Sequence, residues 1–240
     1  MLATLDLHIH SERSPDGRMP LGEIIQEAKA RGLQGIAICD HDLRLAEVPE
    51  PEGLLVIPGE EFSTEYGHLL GLFLYEPVEH GTFREIVAGI HAQGGLAVMA
   101  HPFERTRSED RIAPVAQLLD GVETWNGRAN RKNRQANAMA AAFAVRHGLP
   151  GFGGSDAHVP QEIGNGTVTV EVEALTPGAV REALLRQGNR VSGVNGKARY
   201  VAASQLTKRR KTHARPLSYA KWAAFAAKCW IDDLRMLGRN

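Results

Sequence analysis

Short runs of apolar and β-branched residues alternate along the chain with longer stretches whose apolar positions recur every three to four residues. The short runs predict strands at 3–9, 35–40, 54–58, 68–74, 95–100, 121–125, 150–154, 167–172 and 190–194. The longer stretches predict helices at 21–31, 83–93, 112–119, 131–147 and 176–187, with Gly32, Gly94, Gly148 and Gly188 standing where helix C-termini favour a left-handed residue. Strands that are apolar on both faces and separated by helices imply an α/β fold around a parallel sheet, open or closed into a barrel. A length of 240 residues suits one such barrel, with a core large enough to need no covalent staples.

The pattern changes after about Leu206. Lys208, Arg209, Arg210 and Lys211 form a basic run, Pro216 interrupts the chain, and 218–237 reads as an amphipathic helix carrying Trp222, Phe225, Trp230, Ile231 and Leu234. The expected division is therefore a catalytic domain over 1–204 and a basic linker with a C-terminal helix over 205–240. A solvated linker and a docked helix account for this segment; a contact with nucleic acid, membrane surface or a partner is the functional reading. Charge is balanced at 28 basic and 28 acidic residues, which argues against nucleic acid as an obligatory partner of the main body. The only cysteines are Cys39 and Cys229, so a disulfide framework is not expected and a reducing cytoplasm is. Neither a signal sequence nor a membrane span is expected.

Polar residues are placed where the strands end. His8 and His10 close the first strand, Asp40, His41 and Asp42 the second, and Glu60 and Glu61 the third, while His101 follows Ala97-Val98-Met99-Ala100 and Asp156 and His158 follow the strand near 151–154. Residues two apart on a strand share a face, so His8 points with His10. C-terminal strand ends form the face on which α/β barrels build active sites. His68 instead begins its strand, as an antiparallel hairpin inserted in the sheet would allow. A lone histidine on a strand is an ordinary core residue, but five or six such positions converging on one face form a ligand set. Imidazole and carboxylate without thiolate suit Zn, Mn or Fe, and so many ligands suit more than one ion. Such ions activate water and stabilise the oxygens of an in-line displacement at phosphorus.

The ordered motifs Asp6-Leu7-His8-Ile9-His10, Cys39-Asp40-His41-Asp42, Pro58-Gly59-Glu60-Glu61-Phe62-Ser63-Thr64, Gly67-His68-Leu69-Leu70-Gly71, Ala100-His101-Pro102 and Gly154-Ser155-Asp156-Ala157-His158 resemble the polymerase and histidinol phosphatase (PHP) family over about residues 3–195. The resemblance implies a distorted (β/α)7 barrel of the PHP type, here with a C-terminal helical tail, holding two or three divalent metal ions (Mn, Fe or Zn). It implies one ion at His8, His10 and Asp156, with Glu61 bridging to a second at His68 and His101. A third ion is implied at Asp16, His41 and His158, where relatives carry Asp or His at the position of Asp16. A Pro-Asp-Gly turn also uses its Asp for local hydrogen bonds. The family's spacing to the positions of Ser63 and Thr64 implies Glu61 rather than Glu60, which is left to a supporting or exposed role. Asp40 and Asp42 are expected to orient neighbouring imidazoles, and His80, His91, His147 and His213 lie outside every motif.

The activity implied is hydrolysis of a phosphomonoester in a small phosphorylated metabolite or nucleotide by a metal-activated hydroxide, with Glu61, Asp156 and His41 as catalytic residues. Arg128, beside Asn126 at the end of a strand, is expected to clamp a phosphate oxygen; the loop that follows, with Arg131, Lys132 and Arg134, can offer further cations to a phosphate or be a solvated helix start, and Arg13 and Arg18 are further candidates for substrate binding. A phosphodiesterase or 5′→3′ exonuclease acting on short nucleic acid would use the same ions and gain from the basic tail. A C–N bond hydrolase and a metal-stabilised module without turnover are the remaining readings. No membrane partner is expected, and no oligomeric state is specified.

Overall fold

The computed structural model describes residues 1–237. All nine expected strands are present: β1 (Leu2–Ile9), β2 (Gly35–Ile38), β3 (Leu55–Thr64), β4 (Gly67–Leu72), β5 (Leu96–Met99), β6 (Gly121–Asn126), β7 (Gly151–Gly154), β8 (Gly166–Glu171) and β9 (Arg190–Gly193). They form one sheet in the order β7-β6-β5-β4-β3-β2-β1-β8-β9. Strands β1 to β3 run parallel, as do β5 to β7, whereas β4 is antiparallel to both neighbours, β8 is antiparallel to β1, and β9 is antiparallel to β8. The sheet curls until β1 meets the segment after β7. There Ile9 bridges Ala157, and the His10 amide donates to the Ala157 carbonyl at 2.9 Å. The result is a nearly closed barrel.

Alternation along the strands explains the layering. Ala37 of β2 and Cys39 just after it join a barrel-lining cluster with Leu5, Leu7, Leu70, Val98 and Phe152. Ile36 and Ile38 face the other way, toward Ile24 and Ala28 of α1 (Leu21–Ala30). A third cluster fills the far side, where Phe83 and Ile90 of α2 (Phe83–Ala92) and Phe143 of α3 (Ala136–His147) pack on Phe62, Met99 and Val122. Both faces of the parallel strands are thus covered by apolar contacts, as buried parallel sheets require. Helix α4 (Pro177–Leu184) follows β8, with Thr176 accepting the Ala179 amide at its N-terminus.

Three expectations change. The sheet is mixed rather than parallel, because β3 runs on to Thr64 instead of ending at 58 and then folds back as a hairpin into β4. The expected helix at 112–119 is a 3-10 turn over Ala113–Leu118 with Pro114 near its start, and the one expected from 131 begins at Ala136. The basic run is no linker. Helix α5 (Ala198–Lys211) passes through the expected boundary at 204/205 and carries Lys208 to Lys211 as its last turn. No Gly or Pro interrupts 198–211, and cations at a helix C-terminus are favoured by the helix dipole.

Helix α6 (Pro216–Leu237) returns antiparallel along α5. The Trp222 indole donates to the Ala202 carbonyl at 2.8 Å, and Asp233 accepts the otherwise unpaired Ala198 amide at 2.7 Å. Among the described residues no helix is long and apolar enough to cross a membrane.

Asp6 fastens the barrel seam. Its buried carboxylate accepts the Ser155 amide at 2.9 Å and the Gly164 amide at 2.7 Å, joining β1 to the segments after β7 and before β8. Asp6→Ala strands these donors, which costs about 1–3 kcal/mol for each buried group left unpaired. Urea unfolding of the metal-stripped protein should show a lowered midpoint with an unchanged slope.

Candidate metal centre

The mouth of the barrel gathers His8, His10, Asp16, His41, Glu61, His68, His101, Asp156 and His158. Most come from strand ends or the loops behind them, with Glu61 inside the extended β3 and His68 at the start of β4, so residues separated by up to 150 positions meet within one site. Glu61 lies at its centre. Its Oε1 is 2.7 Å from His68 Nδ1 and 3.0 Å from His101 Nε2, while Oε2 lies 2.7 Å from His41 Nδ1, 3.4 Å from His10 Nε2 and 3.6 Å from His8 Nε2. The antiparallel β3–β4 pairing makes this possible by setting His68 beside Ser63, close to Glu61. Glu60 points to the opposite face of β3, 3.0 Å from His80, where burial raises its pKa to about 7.

His8 Nε2 and His10 Nε2 stand 3.1 Å apart, and Asp156 Oδ1 lies 4.0 Å and 3.5 Å from them. On the other side Asp16 Oδ1 lies 3.2 Å from His158 Nε2 and 3.5 Å from His41 Nε2. Nitrogen and oxygen ligands held at roughly 2.0–2.2 Å from one ion at tetrahedral angles are about 3.4 Å from one another. The spacings around His8, His10, Asp156 and Glu61 match that figure, and Glu61 Oε2 is buried without a hydrogen-bond partner. The donor set therefore fits divalent ions. His41 faces both Glu61 and Asp16, so it touches more of the cluster than the spacing of its motif foretells.

Electrostatics point the same way. Burial works against the Glu61 carboxylate, but His8, His41 and His68 hold its pKa well below the usual range. Asp156 is likewise kept ionised against its burial, by His8, His10 and His158. Burial together with His158 and His41 pushes His10 well below the usual imidazole value, leaving a neutral lone-pair donor. Burial also opposes charge on His41 and His101, yet Glu61 and, for His41, Asp16 raise them to about 10 and about 9. Carboxylates that draw protons onto neighbouring imidazoles in this way draw other cations too, and an ion bound there would displace those protons.

Two positions in the cluster are strained. His101 has φ 29° and Asp156 φ 55°, in the left-handed region disfavoured for residues other than glycine. Hydrogen bonds hold both in place: the His101 amide donates to Glu123 Oε2 at 2.9 Å, and the Ala157 amide after Asp156 donates to the His8 carbonyl.

Glu123 is the main partner that motif reading overlooks. Its Oε1 lies 3.1 Å from His8 Nδ1, and its Oε2 also accepts from Asn126 Nδ2 at 2.9 Å. An acid inside the otherwise apolar strand 121–125 is the signal that could have found it. Gly154 is required beside it, since a Cβ there would lie 2.4 Å from both Glu123 Oε1 and His8 Cβ. Asp40 accepts from the Ser11 amide and hydroxyl, and Asp42 from those of Ser63, so both brace loops and neither orients an imidazole directly.

The expected substrate residues fare differently. Arg128 lines the cavity, but its Nε and Nη2 donate to Glu162 and its Nη1 to Ser204 of α5, so no free fork faces a ligand. Glu162, which also accepts the His158 amide, had no motif to mark it. Asn126 is buried and caps the turn after β6 by accepting the Arg128 and Ala129 amides. Arg13 and Arg18 are exposed and do not line the cavity. Of the loop that follows Arg128, Arg131 and Lys132 do line the cavity and Arg134 does not; Arg105, together with Gln205 and Arg209 of α5 and Phe225 of α6, completes the wall. Lys132 pairs with Glu104 at 2.7 Å. Arg131 and Arg209 have no carboxylate partner among the described residues, and Arg131 lies over the Phe225 ring, 5.5 Å from its centroid. The cavity measures about 340 Å³, within the range of small-molecule sites.

Comparison with known proteins agrees with this geometry. The PHP domain matches residues 6–98, and a PHP-associated region matches 134–188. An uncharacterized protein of Methanocaldococcus jannaschii is 33% identical over 139 residues, covering 50% of this chain and 80% of that protein. The 3′,5′-nucleoside bisphosphate phosphatase of Chromobacterium violaceum is 30% identical over 136 residues, covering 52% of this chain and 44% of the phosphatase. Among solved structures, a two-domain protein from Bacteroides vulgatus containing a predicted PHP-like metal-dependent phosphoesterase superposes with a TM-score of 0.65 at 19% identity, covering 86% of this chain and 70% of that one. At that identity the likeness is one of fold.

Glu123→Gln removes the charge behind His8 and preserves shape. Partners of this kind set ligand orientation and basicity, and losing one typically weakens metal binding by roughly 10–100-fold. Chelator competition on the purified variant should show that weakening, with a far-ultraviolet circular dichroism spectrum like that of the wild type.

Proposed function

The chain belongs to the PHP family of metal-dependent phosphoesterases, and we propose that its cluster hydrolyses a small phosphorylated metabolite or nucleotide as a phosphomonoester. The observation that carries this reading is the pairing of a polynuclear donor set with a cationic cavity wall at the same mouth. His8, His10 and Asp156 would hold one divalent ion, Glu61, His68 and His101 a second, and Asp16, His41 and His158 a third. Mn, Fe and Zn all suit imidazole and carboxylate ligands. Bound ions of this kind supply Lewis acidity at a phosphoryl oxygen and lower the pKa of water.

The chain's own residues do the rest. Glu61 faces both halves of the cluster and fixes their separation. Asp156, kept ionised, ties the strand-end histidines to the loop after β7. Arg131 and Arg209 offer charge to the nonbridging oxygens of a phosphate, a task for which the planar guanidinium is well shaped. Phe225 gives an apolar plate for the organic part of the substrate. Arg128 is a positioning residue, holding Glu162 behind His158. The volume suits a metabolite or mononucleotide better than a folded polymer.

The test is release of inorganic phosphate by the Mn-loaded protein from a panel of nucleoside monophosphates, nucleoside bisphosphates, sugar phosphates and short oligonucleotides. Phosphate release from one class of monoester is expected. Cleavage confined to oligonucleotides, with strong salt sensitivity, would move the assignment to a nuclease. His10→Ala and Glu61→Ala should lower kcat/KM by more than the roughly 100-fold that loss of a supporting partner costs. Turnover persisting in protein shown by elemental analysis to be free of metal would sink the proposal.

A further inference from the structure

Lys211, the last residue of α5, reaches across to the β1–α1 loop. Its ammonium donates to the carbonyl oxygens of Glu12, Ser14 at 2.9 Å and Gly17 at 2.7 Å. An ammonium carries three N–H donors. All are satisfied by one loop, from a position 194 or more residues away in sequence.

That loop is anchored at its start by Asp40, which accepts from the Ser11 amide and hydroxyl, and is closed by the Glu12 amide donating to the Met19 carbonyl at 2.8 Å; Lys211 holds the span between. Residues 10–20 contain no helix or strand, and the chain doubles back so tightly that a Cβ at Gly17 would meet the Ser11 carbonyl oxygen at 1.9 Å. Carbonyl oxygens converging from residues 12, 14 and 17 present the negative ends of three dipoles to one point, an arrangement that a cation stabilises. The same loop carries Asp16. Ser14 Oγ donates to Asp16 Oδ1 at 3.3 Å, lies 3.3 Å from His10 Nδ1 and accepts the His41 amide at 3.3 Å. A shift of the loop would therefore move the contacts of Asp16 with His41 and His158.

We propose that Lys211 is a positioning residue of the metal centre, through which the C-terminal hairpin holds the loop that presents Asp16. This rests on reading Asp16, His41 and His158 as ligands of one ion. The hairpin is attached on the other side of the mouth as well, where Ser204 of α5 meets Arg128 and the Gly196 amide donates to the Gly127 carbonyl at 2.7 Å. It thus spans the mouth from the loop after β1 to the loop after β6, and assembly of one ion site depends on it. The basic run accordingly includes one cation with a structural task inside the protein.

The experiment is calorimetric titration of the metal-stripped full-length chain with Mn²⁺, with bound metal counted by elemental analysis. Lys211→Met keeps the stem and removes the donors; it should weaken one equivalent of Mn²⁺ by roughly 10–100-fold, as loss of other supporting partners does, and leave the remaining sites at wild-type affinity. Arg210→Met removes the same charge from the same turn and should change nothing. Asp16→Ala should weaken that same equivalent, and adding Lys211→Met to it should weaken binding no further, whereas a general loss of stability would add. Should Lys211→Met fail to fold, Lys211→Gln, with two N–H donors and no charge, should weaken the same equivalent to a smaller degree. Unchanged affinities in the Lys211 variants, or additive losses in the double variant, overturn the inference. A wild-type chain that binds no divalent ion overturns the reading of the whole cluster, and this inference with it.

Discussion

A buried carboxylate faced by five imidazoles is the arrangement on which the rest of this molecule depends. Glu61 has almost no solvent contact, and its two oxygens look toward His8, His10 and His41 on one side and His68 and His101 on the other. A charge removed from water this completely is tolerable only when opposite charge or strong donors surround it. Several departures from a regular barrel gather polar groups at this mouth. Strand β3 overruns its expected end and folds back so that His68 arrives beside Glu61, and His101 and Asp156 adopt left-handed backbone to point inward.

The supporting ring is as specific as the ligands. Glu123 braces His8 and the His101 amide with its two oxygens, and Gly154 leaves room for it by lacking a side chain. Ser14 touches His10, His41 and Asp16 at once. Glu162 receives both the Arg128 guanidinium and the His158 amide, so the loops after β6 and β7 share one anchor. An ion site built on such a frame is organised before an ion arrives, which lowers the reorganisation needed on binding.

The C-terminal hairpin is part of that frame and also a wall of the cavity. Arg209 and Phe225 face the mouth from α5 and α6, and Arg131 lies against the Phe225 ring from the barrel side. The hairpin therefore joins two tasks that sequence treats as separate: it completes the surface a substrate would meet, and it ties down the loop after β1 through Lys211.

Much of this was legible along the chain. Period-two and period-3.6 patterns located every strand and most helices, because alternation and helical repeat follow from local backbone geometry. The candidate ligand residues were legible because most sit in short motifs near strand ends, and strand ends on one face of an α/β sheet converge. His8 and His10 needed only a spacing of two; His41, His101 and Asp156 needed only their place after a strand. What tertiary structure alone decided is which side chains meet across long separations. Glu123 gave no motif, Glu162 and Lys211 have partners chosen by the path of distant segments, and Arg128, which reads as a phosphate clamp, proves to be occupied by Glu162. Hydrogen-bond partners of this kind depend on how loops pack over the barrel mouth, and packing is a property of the assembled chain rather than of any window within it.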